Sequence, residues 1–267
     1  MNEPGSSPRR QVIDDDQLKR MMRGNRKRTL QRSGQLVTII LIAANVIAYA
    51  VEFALTGFRP DISSSVLVDM GAMFPPAVTG LADCYRFVAP MFLHMDPMHL
   101  LFNMAALYSV GVVLERILGK AGFLLLYFAG GITGNVASYA WALASGDVLT
   151  VSAGASTSVF GLFVSMAMLG VLGRGDRRFL SAYSKGMLAV IAVNVAYSLL
   201  VPGISISGHL GGAVGGAIGM LMVPSKNLRT PKPACAAVAV LWIAGMAAAI
   251  WWGMGEAPSA IANLLMG

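Results

Sequence analysis

Polar and apolar positions divide this chain into a polar, basic first 35 residues and then a series of long apolar runs separated by short charged stretches. A hydrocarbon layer about 30 Å thick is crossed by about 20 helical residues. That measure predicts seven segments, at 36–55, 97–114, 121–143, 156–173, 186–201, 206–223 and 234–252. The second and sixth carry polar residues that lower their hydropathy. The expected fold is an all-α membrane protein, organised as a tail over 1–35, a six-helix core over 36–223, and a linker with a seventh helix over 224–267. Residues 56–96 form the one long connection, holding Pro60, Pro75 and Pro76 beside Met70, Met73 and Phe74.

Composition strengthens this picture. The chain is 56% hydrophobic and 12% charged, whereas soluble domains carry about 25% charged residues. The net charge of +7 does not point to nucleic acid, because the basic residues lie between apolar runs and in the tail. With the N-terminus in the cytoplasm, all of the twenty Lys and Arg residues except Arg59 and Arg86 fall on the cytoplasmic side. Asp61, Asp69, Asp83, Asp96 and Asp147 fall outside with those two. The polar start reads as a cytoplasmic tail, not a cleaved leader. Its basic cluster from Arg20 to Arg28 reads as a topology determinant that also favours anionic lipid. Cys84 and Cys235 fall on opposite sides and do not pair.

Polar groups at membrane depth are costly and mark function by default. All three histidines, His94, His99 and His209, fall on the external side of the predicted bundle. Ser156 follows Gly154 where an external loop enters the fourth segment, so its hydroxyl lies where free N–H groups and the helix dipole favour an oxyanion. His209 opens the sixth segment from the same side and is placed to accept the Ser156 proton, a pairing defined by geometry and not by sequence order. Gly211, Gly212, Gly215, Gly216 and Gly219 give that segment a small face permitting close approach. Phe160, one turn beyond Ser156, can stack on the imidazole. His99 and Asn103, four residues apart, point the same way and can donate to an oxyanion or hold helices together.

These residues together resemble the rhomboid intramembrane proteases. The pattern is His94-x4-His99-x3-Asn103, Gly154-x-Ser156 and His209-x2-Gly212-x3-Gly216, each group on its own helix in this order. Leu114-Glu115-Arg116 and Tyr85-Arg86 fit as well, and the seventh helix resembles that family's "6+1" arrangement. The resemblance implies a serine–histidine dyad with no acid partner, Ser156 as nucleophile and His209 as base and then acid. His99 and Asn103 would bind the oxyanion, and Gly154, His94, Phe160 and Gly212 would support the site. No cofactor, metal or nucleic acid is implied. Substrates would be transmembrane proteins, cut near the extracytoplasmic face of a bacterial inner membrane, where a locally unwound helix bares its carbonyls. Thr157 departs from the family's usual Gly-x-Ser-Gly.

Other readings make different demands. An impaired rhomboid-like protein would bind membrane clients without cutting them. Three imidazoles could hold zinc, but there is no His-Glu-x-x-His. Lys185 lies on the wrong side to serve as a base for Ser156. A transporter would use Asn45 and Asn194, without the intramembrane acids such proteins carry.

Overall fold

The structure is a computed structural model and describes residues 35–175, 177–200 and 205–266. The basic tail and its Arg20–Arg28 cluster lie outside these residues. The helices are α1 (Leu36–Leu55), α2 (Ser64–Asp69), α3 (Pro97–Ser145), α4 (Ser156–Leu172), α5 (Arg177–Leu200), α6 (Ile206–Met222) and α7 (Lys232–Met266). Three 3-10 turns, Pro75–Ala77, Leu81–Phe87 and Ala89–Phe92, organise the long connection after α2. Among the described residues the only strand-like pairings are two isolated bridges. An all-helical build is expected of a chain whose backbone must satisfy itself in lipid.

The second and third expected segments are both present, as the two arms 97–118 and 120–145 of α3, separated at Gly119, whose φ of +81° and ψ of 168° are not helical. Such a backbone suits glycine. α5 begins earlier than expected, and α7 runs well beyond residue 252. It continues through Gly253, Gly255 and Pro258, residues of low helix propensity. Among the described residues four helices (α1, α3, most of α5, and α7) are long and apolar enough to cross a membrane, while α4 and α6 are apolar but only 17 residues each.

α4 stands between the second arm of α3, α5 and α6. Contact here is backbone to backbone. A Cβ on Gly161 of α4 would lie 2.8 Å from the Gly130 Cα and 2.9 Å from the Gly212 carbonyl oxygen. Around this seam, Leu107, Leu114, Phe123, Leu126, Leu162 and Leu169 are fully buried. α1 is tied on by a buried carboxyl group. Glu115 accepts from the N–H groups of Val37 and Thr38, at 3.1 and 2.9 Å, and from the Thr38 hydroxyl at 2.8 Å. First-turn N–H groups have no partner inside their own helix, so an acceptor from α3 satisfies two of them.

Candidate active site

Ser156 is the first residue of α4, and the residue ahead of it, Ala155, supplies no capping oxygen. The opening N–H groups of α4 are therefore not occupied by a side-chain cap. The loop leading in is fixed from both sides. Ser152 and Met73 exchange backbone hydrogen bonds at 3.0 and 2.8 Å, and the Gly154 N–H donates to the Pro90 carbonyl at 2.8 Å. Gly154 has φ +136°. A Cβ there would sit 2.8 Å from the His99 ring and 3.5 Å from Ser156 Oγ, so glycine is required both by the backbone and by the space between those side chains.

His209, in the first turn of α6, reaches Ser156 with Nε2 2.8 Å from Oγ. The Phe160 ring stacks on the imidazole with centroids 4.1 Å apart and 16° between planes. α6 is started by Ser205, whose hydroxyl accepts from the Gly208 N–H at 3.1 Å. Close approach of α6 to α4 depends on Gly212, where a Cβ would overlap the Thr157 carbonyl. Thr157 itself is buried, with its side chain against Gly134 of α3 and Gly208 of α6. The residue that departs from the resemblance is thus accommodated by two facing glycines.

One partner of His209 had no sequence signal. Ser198 of α5 lies with Oγ 2.7 Å from His209 Nδ1 and donates to the Asn194 carbonyl at 2.8 Å. A hydroxyl has one proton to give. With that proton on the Asn194 carbonyl, Ser198 Oγ accepts from Nδ1–H, which leaves Nε2 to accept from the Ser156 hydroxyl. Proton positions here are assigned from the network.

His99, Asn103, Ser156, Phe160 and His209 line one cavity of about 430 Å3. Asn103 donates one amide N–H to the His99 carbonyl at 3.0 Å, leaving its second N–H for another acceptor. The His99 N–H is capped by Asp96 at 2.8 Å. His94 stands behind, in the connection ahead of α3, with its ring edge-on to His99 at 5.1 Å. Burial first, and then His99, hold the His94 pKa down to about 3, so this ring is neutral. Its backbone N–H donates to the buried Glu52 carboxyl of α1 at 3.2 and 3.3 Å. Glu52 is a second contributor that sequence reasoning passed over, and it is a buried acid within α1, where no intramembrane acid was expected. Among the described residues no set of His, Cys, Asp and Glu is arranged to hold a metal ion.

An all-helical apolar bundle with a hydrogen-bonded serine and histidine in a cavity at the starts of two helices defines a class of membrane protein. The comparisons specify it. Residues 81–226 match the Rhomboid domain, and the chain belongs to the rhomboid family as an integral membrane protein. It is 32% identical to "Rhomboid protease GluP" of Bacillus subtilis (strain 168), over 67% of this chain and 33% of that relative. It is 31% identical to "Rhomboid-like protease 1" of Toxoplasma gondii, over 77% of this chain and 71% of the relative. With "Rhomboid-type serine protease 2" of Emericella nidulans it shares 26% identity, over 77% of this chain and 53% of the relative. The match thus spans a third of the length of the first of these relatives and about half of the last.

Proposed function

We propose that this protein is an intramembrane serine endopeptidase that cuts transmembrane proteins with a Ser156–His209 dyad. The observation that carries the reading is the 2.8 Å contact between Ser156 Oγ and His209 Nε2, inside a cavity, in a family whose relatives are named as proteases. Ser156 Oγ attacks the scissile carbonyl carbon as its proton passes to Nε2. The oxyanion forms beside the uncapped start of α4, where the Ser156 N–H, His99 and the second Asn103 N–H can donate. His209 then returns the proton to the leaving nitrogen, the C–N bond breaks, and an acyl-enzyme remains. Water, deprotonated by His209, releases it.

The substrate backbone has a place to lie. In a paired strand, successive residues turn their N–H and C=O groups to opposite sides. Ser152 turns its own toward Met73, so those of Val151 and Ala153 face away, and both residues line the cavity. A substrate strand pairing there would present an unwound segment to Ser156. The distribution of Lys and Arg supports an N-terminus in the cytoplasm and a site opening to the extracytoplasmic side; the membrane proposed is a bacterial inner membrane, on the resemblance to the "6+1" arrangement. Residues 36–223 would be the catalytic core, with 1–35 a basic tail. No cofactor is required by this chemistry.

The test is to treat the purified, detergent-solubilised protein with a fluorophosphonate probe and to map the modified peptide. Covalent labelling at Ser156, with cleavage of a reconstituted transmembrane reporter, is the expected result. A folded protein that neither labels nor cleaves would sink the proposal.

Ser198 is a positioning residue on this reading. Ser198→Ala should lower kcat about 10- to 100-fold with little change in KM, less than removal of a charged orienting partner costs. Ser198→Thr should retain most of the activity, measured on the same reporter across pH. An unchanged kcat in Ser198→Ala would remove it from the mechanism.

A further inference from the structure

The last helix has no part in the dyad, yet it is bound to the rest of the bundle at specific points. Trp242 Nε1–H donates to Thr133 Oγ1 of α3 at 2.9 Å. Eleven residues on, Gly253 lies flat against Tyr139, where a Cβ would be 3.0 Å from Cδ1 and 3.1 Å from Cζ and would overlap Cε1. One turn further, Ala257 is 3% exposed. It closes a separate apolar cluster formed by Met73, Val78 and Phe87 of the long connection, Tyr139 of α3, and Val148. Within this cluster Phe87 meets Tyr139 edge-on at 5.4 Å. The Phe87 carbonyl also accepts from Asn135 at 3.0 Å. Met73 in turn holds Ser152 by the pair of backbone bonds described above. Contacts therefore run without a gap from Gly253 and Ala257, through Tyr139, Phe87 and Met73, to the segment four residues ahead of Ser156.

The dyad has different supports. Ser156, His209 and Phe160 are set by the glycine seam between α4 and α6 and by Ser198 of α5. Packed interiors pass displacement on because they have little empty space to absorb it.

We infer that α7 is a strut that holds the 151–153 segment in register to receive a substrate strand, acting through Gly253 and Ala257 on the Tyr139–Phe87–Met73 cluster. The inference rests on the endopeptidase reading above. It assigns the seventh helix to substrate binding and not to the chemical step. A small phosphonate needs only the nucleophile and base, whereas a transmembrane substrate needs the strand as well, so the two readouts separate.

The experiment compares Gly253→Val with Gly255→Val in the full chain. Gly255 is in the same helix, and nothing lies within 4 Å of where its Cβ would be. The expected result is that Gly253→Val labels with fluorophosphonate at a rate within about three-fold of the parent but cleaves the transmembrane reporter at least ten-fold less well, mainly through KM, whereas Gly255→Val matches the parent in both labelling and cleavage. Gly253→Ala, a smaller wedge that tolerates poorer packing, should show the same split in weaker form and serves if the valine variant does not fold. Equal cleavage by Gly253→Val and the parent would overturn the inference. So would a parallel fall in labelling and cleavage in both Gly253 variants, or an equal loss in Gly255→Val. Absence of labelling and cleavage in the parent would instead overturn the endopeptidase reading itself.

Discussion

Alanine at Ser156, alanine at His209, and alanine at both should reduce reporter cleavage to one common residual rate, about 10^4-fold or more below the parent. On the proposed mechanism the two groups form a single proton-transfer unit. Without Nε2 the hydroxyl keeps its proton and is a poor nucleophile; without Oγ the imidazole has nothing to activate. The second replacement then removes only what the first has already disabled, so the losses do not add. The proposed oxyanion donors and the 151–153 segment are untouched in all three variants, so substrate should still bind, with KM altered little. Rates measured at matched protein levels, with active-site titration of the parent, check this. A double variant much slower than either single one would show the two side chains acting separately. A His209→Ala variant close to the parent would identify another base.

The legible part of this site was the part encoded in helix starts and in helical spacing. An apolar run preceded by a small-residue loop put Ser156 at a helix N-terminus, and the same reasoning put His209 at another on the same side. Phe160 could be set on the face of Ser156 because four residues make about one turn, and its ring lies on His209 at 4.1 Å. Ser198 was not legible. A serine in an apolar helix is ordinary, and its reach to Nδ1 depends on how α5 crosses α6, which no spacing within either segment encodes. Glu52 was hidden in the same way, because its partner is a backbone N–H in a connection 42 residues on.

The seventh segment was expected to end near residue 252, at about the length that crosses a bilayer, but the helix continues through Gly253, Gly255 and Pro258, residues of low helix propensity. In the bundle Gly253 is the point where the helix must come close to the Tyr139 ring. The boundary at Gly119 was legible: two segments were expected on either side of residues 115–120, and a non-helical glycine with positive φ separates two helical arms there.

A large structural effect is expected at Gly212, the seam glycine nearest His209. A side chain there cannot be placed without moving backbone, because a Cβ would overlap the Thr157 carbonyl and lie 2.9 Å from its carbon and 3.1 Å from its Cα. Thr157 cannot retreat far, since its own side chain fills the space against Gly134 and Gly208. Relief must come from separating α6 from α4, and that carries His209 away from Ser156. Displacing a reacting group by about 1 Å can cost about 100-fold, so Gly212→Ala should lower labelling and cleavage together by at least about that factor. Gly212→Val should abolish both, and overpacking of this kind lowers stability by about 1–3 kcal/mol or more. Gly219 lies two turns along the same helix face and supplies the comparison. A Cβ there would meet the Leu126 Cδ2 at 3.0 Å and the Ala129 Cβ at 3.3 Å. A leucine methyl can rotate aside where a carbonyl cannot, so Gly219→Ala should stay within a few-fold of the parent, on the order of 1 kcal/mol or less. Labelling rates and melting temperatures of the three variants separate the two explanations for the glycine face. If Gly219→Ala were as damaging as Gly212→Ala, the face would matter as general helix packing; if Gly212 alone is critical, its role is to bring histidine within reach of serine.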